Sequence, residues 1–216
     1  MTMATEYQNQ KSLVLVIDDD PSVRNGLTLL FRSVGFETRA FGSAQEFVQS
    51  KLPDVPSCLI LDVRLPGQSG LDFQAELLKT HIHIPVIFMT GHGDIPMTVR
   101  AMKGGAVDFL AKPFRDQDML DAVATAIERD RKRRASEKVL SELRAVFETL
   151  SPREREVMAL VSSGLMNKQI AAEMNLAEIT VKIHRGRIMK KMRARSVADL
   201  VKMAEALGVQ CTNQKR

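Results

Sequence analysis

Asp62 closes a short apolar run, Cys58-Leu59-Ile60-Leu61, and stands just ahead of a Pro66-Gly67 turn. Four apolar residues are too few for a helix, so the run reads as a strand buried on both faces. In an open α/β sheet the carboxyl ends of the strands form the edge where ligands bind. A carboxylate there can be a ligand, a nucleophile or a helix cap. Other chemistry-bearing residues hold the same kind of position. Asp18 and Asp19 follow Leu13-Val14-Leu15-Val16-Ile17, Thr90 follows a run from Pro85 to Met89, and Lys112 follows Val107 to Ala111. Carboxylates crowded into one pocket need a counter-charge, and a hard divalent cation with oxygen ligands supplies it. Mg²⁺ takes one or two carboxylates together with phosphate oxygens, which suits phosphoryl transfer. Lys112 can neutralise a phosphoryl oxygen, and the Thr90 hydroxyl can donate to another. Singly, each residue has a plainer role. Asp18 to Asp20 could cap the next helix, and Thr90 and Lys112 could be loop residues. Their conjunction at successive strand ends favours Asp62 as a phosphate acceptor.

That conjunction requires elements that bring the strand ends together. Pro21 and Ser22 open a helix carrying Val23, Leu27, Leu30 and Val34 along one face. A strand over Phe36–Phe41 and a short helix over Ala44–Val48 precede the Asp62 strand. Leu71, Ala75 and Leu78 have the apolar spacing of a third helix, and Ile95 to Met102 read as a fourth. A long helix starts at Asp116. Five strands alternating with five helices make a parallel, doubly wound sheet of flavodoxin-like type, covered on both sides. Right-handed crossovers then place Asp18, Asp19, Asp62, Thr90 and Lys112 on one rim.

The net charge of +5 is unevenly spread over the 216 residues. Residues 1–126 hold 11 Lys+Arg against 15 Asp+Glu, a net −4, and residues 127–216 hold 20 against 11, a net +9. An acidic half joined to a basic half suggests two jobs, the basic one facing a polyanion. No apolar run approaches the roughly 18 residues of a membrane span. The polar residues 1–11 read as a flexible tail without a signal peptide, which implies a cytoplasmic protein with no membrane partner. Cys58 and Cys211 read as two free thiols.

Between Met119 and Glu148 there is neither Pro nor Gly, and Arg129 to Arg134 is a dense charge run. Val139, Leu140, Leu143, Val146, Phe147 and Leu150 then recur at helical spacing. Residues 125–149 therefore read as a helical linker whose stripe packs on a second copy or on the next domain. Ser151-Pro152-Arg153-Glu154 combines Ser at the N-cap, Pro at N1 and Glu at N3 of a helix. Asn167 is expected to cap a short helix with Ile170, Ala171 and Met174. A tight turn at Asn175-Leu176 leads to a helix over about Glu178–Met192, and a last helix starts at Ser196. These residues make an all-α, four-helix domain containing a helix-turn-helix. Val181, Ile188 and Met192 form its inward face, while Lys182, Ile183, Gly186, Arg187 and Lys190 project outward. Lys and Arg suit phosphates and guanine edges, and Ile183 suits a thymine methyl.

The first half resembles the receiver domain of two-component response regulators over about residues 12–124. The likeness rests on the Asp18-Asp19 pair, the D-V-R-L-P-G-x-S-G loop from Asp62, Thr90 and Lys112-Pro113. It implies that Asp62 takes phosphate from a sensor histidine kinase. It also implies an Mg²⁺ site of Asp18, Asp19, Asp62 and the Arg64 backbone carbonyl, with Thr90 and Lys112 sensing the phosphoryl group. Phe109 matches the switch aromatic, with a plain core aromatic as the alternative. Gly91 stands where many receivers have Ala or Ser, and His92 is a weak ligand candidate. Residues 150–208 resemble the LuxR-type DNA-binding domain through L-S-P-R-E-R-E-V, G-L-x-N-K-Q-I-A and T-V-K-x-H-R, with a tail over 209–216. Together the halves resemble the FixJ/NarL class. That resemblance implies promoter DNA contacts by Lys182, Ile183 and position 186, where Gly186 departs from larger residues. Thr180, Arg185, Lys190 and Lys191 become phosphate candidates beside the outward Arg187. It further implies homodimers on phosphorylation, contact with RNA polymerase, transcription activation and no catalytic residue. A haloacid-dehalogenase-like phosphatase would need a D-x-D nucleophile on the first strand, a poor match that leaves the helix-turn-helix unexplained.

Overall fold

Central strands buried on both faces build the first half of the chain, seen in a computed structural model that describes residues 12–80, 82–91 and 95–209. His92, Cys211 and the tails over 1–11 and 210–216 lie outside those residues. The chain divides into two compact units, Met1–Arg134 and Ala135–Arg216. In the first, β1 (Leu13–Ile17), α1 (Pro21–Ser33), β2 (Glu37–Phe41), α2 (Ala44–Gln49) and β3 (Ser57–Asp62) come in turn. Then follow β4 (Arg64–Leu65), β5 (Gln68–Ser69), α3 (Gly70–Lys79), β6 (Val86–Thr90), α4 (Ile95–Lys103) and β7 (Asp108–Ala111). The helix α5 (Asp116–Glu148) starts in this unit and ends in the second.

The main sheet is parallel throughout, in the order β2-β1-β3-β6-β7. This is the flavodoxin-like order expected from the sequence, with its switch point between β1 and β3. Leu13, Leu15, Ile17, Leu59, Leu61 and Phe88 face a core shared with Phe47, Phe73 and Leu77 of α2 and α3. Val14, Val16, Cys58, Ile60, Ile87 and Met89 face the other, shared with Leu27 and Phe31 of α1 and Met119, Val123 and Ile127 of α5. The alternation follows from the period-2 geometry of a strand. The loop after Asp62 is more structured than expected, because Arg64 and Leu65 pair antiparallel with Ser69 and Gln68.

Two expected faces differ. Val34 is the exposed C-cap of α1, and Phe31 fills the core position instead. On α3 the structure buries Leu71, Phe73, Gln74 and Leu77, while Ala75 and Leu78 face out. The Phe73 ring meets Phe47 edge-on at 5.8 Å, and burying that large ring turns the helix away from the Leu71-Ala75-Leu78 line. On α5 the buried stripe Met119, Ala122, Val123, Ala126 and Ile127 continues into a carboxylate, Asp130. Asp130 Oδ2 accepts from the Ser57 N–H at 3.0 Å and Arg134 Nε at 2.6 Å, and Oδ1 accepts from Arg133 Nη2 at 2.6 Å. Arg134 also pairs with Asp54. The charge run thus holds the helix against the amino end of β3. Burial first, and then the negative Asp130, push the Cys58 thiol well above its ordinary value, so this free thiol is inert.

In the second unit, α6 (Pro152–Ser162), α7 (Asn167–Met174), α8 (Glu178–Lys191) and α9 (Val197–Leu207) enclose Val157, Met158, Val161, Ile170, Val181, Ile188, Leu200 and Ala204. The C-terminal turns of α5 add Leu143, Val146 and Phe147 to this core, but Val139 stays exposed. Among the described residues no helix is long and apolar enough to cross a membrane.

Candidate functional site

The carboxyl ends of β1, β3, β6 and β7 meet at the rim where the strand order reverses. Asp18 and Asp62 are buried there, and Lys112 Nζ donates to both, to Asp18 Oδ2 at 2.6 Å and Asp62 Oδ2 at 2.7 Å. The second oxygen of each acid is held by backbone. Asp20 N–H donates to Asp18 Oδ1 at 2.8 Å, and Arg64 N–H donates to Asp62 Oδ1 at 2.8 Å. Burial pushes the Asp18 carboxyl up, which the Lys112 ammonium and the Asp20 N–H only partly offset. Burial alone would lower Lys112, but its bonds to Asp18 and Asp62 hold it above its ordinary value.

Ligand oxygens of Asp18, exposed Asp19 and Asp62 lie within 4.8 Å of one another. Three carboxylates at that spacing fit a hard divalent cation, and receiver domains bind Mg²⁺ at an acidic pocket of this kind. Thr90, the last residue of β6, is buried, and its carbonyl accepts from the Lys112 N–H at 2.7 Å. Phe109 is half-buried against Phe88, with ring centroids 6.3 Å apart. The structure therefore brings together Asp18, Asp19, Asp62, Thr90 and Lys112. The cap duty falls on Asp20, whose Oδ1 accepts from the Ser22 N–H at 2.7 Å.

Two supports of the rim carried no role in the sequence. Arg24 Nη1 donates to the Asp18 carbonyl at 2.6 Å, from one turn inside α1. Gly70 is the final glycine of the Asp62 loop motif. A Cβ there would lie 2.2 Å from the Asp62 carbonyl oxygen, backbone that cannot swing aside. Gly70→Ala is expected to destabilise the first unit by about 1–3 kcal/mol and to reduce phosphoryl uptake, read by urea unfolding and by labelling.

On the helix-turn-helix, Lys182, Ile183, Gly186, Arg187 and Lys190 are all exposed on α8, while Val181, Ile188 and Met192 are buried. Asn175 makes the turn in the left-handed region, at φ 52°, and the Leu176 N–H donates to the Ala171 carbonyl at 2.9 Å. Thr180 is half-buried near the start of α8. Asn167 does not cap α7. Met166 holds that position, its N–H bonded to Gln169 Oε1 at 2.8 Å, and Asn167 Oδ1 accepts from Arg185 Nη1 at 2.5 Å. Lys191 turns inward, donating to buried Glu154 at 2.6 Å and to the Thr149 carbonyl at 3.1 Å. Arg185 and Lys191 thus spend bonds inside the domain.

Glu154 closes the predicted capping box, accepting from the Ser151 N–H at 2.8 Å. Burial would raise its carboxyl, but Lys191 and Ser151 outweigh that and hold it below its ordinary value. A lowered folded-state value contributes stability above the unfolded glutamate value of about 4.3, and that stability is lost as pH falls through the folded value. Urea unfolding of wild type and Glu154→Gln is expected to differ at pH 7, with the gap closing as pH drops below about 4.3.

The fold and its rim define a signalling domain of flavodoxin-like build coupled to a helix-turn-helix module. The response regulator receiver domain family matches residues 14–124, and the luxR family of bacterial regulatory proteins matches residues 148–204. The chain belongs to the response regulators that join these two modules. It is 66% identical to nodulation protein W of Bradyrhizobium diazoefficiens, over 95% of this chain and 91% of that protein. It is 40% identical to the transcriptional regulatory protein FixJ of the same organism, over 92% and 97%. The structure of the response regulator StyR matches with a TM-score of 0.78 and 48% identity, over 90% and 98%. The relatives are transcriptional response regulators, not catalysts, and phosphorylation-dependent control of transcription follows for this chain. This pairing of modules implies a histidine kinase upstream and DNA as the target.

Proposed function

We propose that Asp62 accepts a phosphoryl group from a sensor histidine kinase and thereby controls DNA binding by α8. The observation that carries this is the Asp62 carboxylate at the switch point, bonded to Lys112 and beside Asp18. An Asp62 oxygen attacks the phosphorus, the bond to the donor breaks, and an acyl phosphate forms. Asp18, Asp19, Asp62 and the Arg64 carbonyl would hold Mg²⁺, which supplies charge neutralisation for the incoming phosphoryl oxygens. Lys112, already shared between Asp18 and Asp62, can turn to a phosphoryl oxygen. Thr90 donates to another and draws its loop inward, and Phe109 repacks behind it. The α4 face carries Ile95, Val99 and Met102 exposed, and a remodelled α4 can pair with a second copy.

In domain terms, residues 12–124 are the receiver, 125–149 a helical linker and 150–208 the DNA-binding domain. Lys182, Ile183 and Gly186 face bases, with Thr180, Arg187 and Lys190 on phosphates. Arg185 and Lys191 serve DNA only through their remaining donors. A phosphorylated homodimer then sets two α8 helices on a two-fold promoter site and engages RNA polymerase in the cytoplasm, acting as an activator.

Intact mass and sedimentation, measured with and without acetyl phosphate and Mg²⁺, test this reading. It expects one added phosphoryl group and a shift from monomer to dimer. No added mass, where a control receiver is labelled, would sink it.

A further inference from the structure

Opposite the buried side of α8, Ile179, Ile183, Gly186 and Lys190 fall at i, i+4, i+7 and i+11 and form one outward line. The line opens with two isoleucines, 64% and 48% exposed, and a glycine, before its first cation. Lys182 and Arg187 flank it. The side chains of these two and of Lys190 have no hydrogen-bond or ion-pair partner among the described residues. An apolar crest between unpaired cations is an unusual surface to leave in water, and it fits a polyanion with apolar groups on its floor.

Gly186 supplies a second, independent observation. A glycine inside a helix weakens it relative to alanine. Nothing in the domain requires one here, because a Cβ built on Gly186 meets no heavy atom within 4 Å. Helix stability alone would favour alanine at this position.

We propose that Ile179, Ile183 and Gly186 form a ridge that reads thymine 5-methyl groups on the floor of the DNA major groove, with Lys182 on base edges beside it and Arg187 and Lys190 on its anionic walls. Gly186 lets the base edges approach the helix backbone. The proposal rests on α8 being the recognition helix, and it adds a second methyl-reading residue, Ile179, and its spacing from Ile183. Four residues of helix rise about 6 Å, and bases on one strand are about 3.4 Å apart. The two isoleucines therefore meet methyls about two base steps apart.

The test uses the full-length protein, phosphorylated with acetyl phosphate and Mg²⁺, to select duplexes from a random pool. The selected duplex is then remade with deoxyuridine for thymine at each position in turn, which removes only the methyl. At two thymines about two steps apart, each swap is expected to weaken wild-type binding about fourfold, the ~0.8 kcal/mol of one buried carbon group. Ile179→Ala is expected to lose the sensitivity at one of these thymines and Ile183→Ala at the other. Gly186→Ala is expected to raise the thermal midpoint and to weaken duplex binding roughly tenfold. Those opposite signs separate a reading residue from a structural one. Swaps without effect, equal sensitivity in wild type and both isoleucine variants, or wild-type affinity in Gly186→Ala would each overturn the ridge. Recovery of no duplex at all would overturn the recognition-helix reading along with it.

Discussion

Asp62→Asn is expected to take up no phosphoryl group from acetyl phosphate, in the presence of Mg²⁺ and under conditions that label the wild type fully. The amide lacks the carboxylate oxygen that would attack phosphorus, so the loss is complete rather than partial. The fold should persist. In the wild type, Oδ1 accepts from the Arg64 N–H and Oδ2 from Lys112. The amide oxygen can keep one of these bonds, and losing the other costs about 1–3 kcal/mol. Lys112 keeps its 2.6 Å bond to Asp18. Removing one carboxylate also relieves the repulsion that adds to the upward push on Asp18. Intact mass after labelling, paired with a urea unfolding curve, checks both halves of the expectation. Label on the variant would move the acceptor to another residue.

The largest expected effect on stability lies at the opposite end of β3. Asp130 is fully buried and binds two arginines and the Ser57 N–H. Asp130→Ala leaves a buried backbone donor unpaired and two guanidinium groups without their acid. Breaking a buried pair destabilises by about 3–5 kcal/mol. The lower end applies, about 3 kcal/mol, because both arginines keep roughly a quarter of their side chains in water, 29% for Arg133 and 26% for Arg134. For a domain with a typical stability of about 5–15 kcal/mol, that is a large share. Asp130→Asn retains an acceptor for Ser57 and should lose less. Urea midpoints of the two variants separate the charge from the hydrogen bond, and equal losses would mean that the Ser57 bond contributes little.

The sequence by itself determined the sheet. For β1, β3 and β6, runs of four or five apolar residues, each ending at a turn or a polar residue, mark strands buried on both faces. The parallel rule then sends Asp18, Asp62, Thr90 and Lys112 to one rim without any distance being known. It also determined the second unit, where Ser151-Pro152-Arg153-Glu154 specifies a helix start from four residues. These features are legible because strand periodicity and capping are local, set by residues a few positions apart.

Contacts between residues far apart in sequence were decided only by the tertiary structure. Leu71-Ala75-Leu78 and the observed Phe73-Gln74-Leu77 face are equally helical, and only the Phe47 ring across the core chooses between them. Asp130 looks like one charge among many until Ser57, 73 residues away, offers it a buried N–H. Lys191 looks like one more surface cation until Glu154, 37 residues away, accepts a hydrogen bond from its ammonium. Ile179 shows its place only once α8 has a buried side to stand opposite. Burial is the physical reason in each case. Removing water makes the partner of a ring or a charge decisive, and which groups lose their water depends on the whole fold.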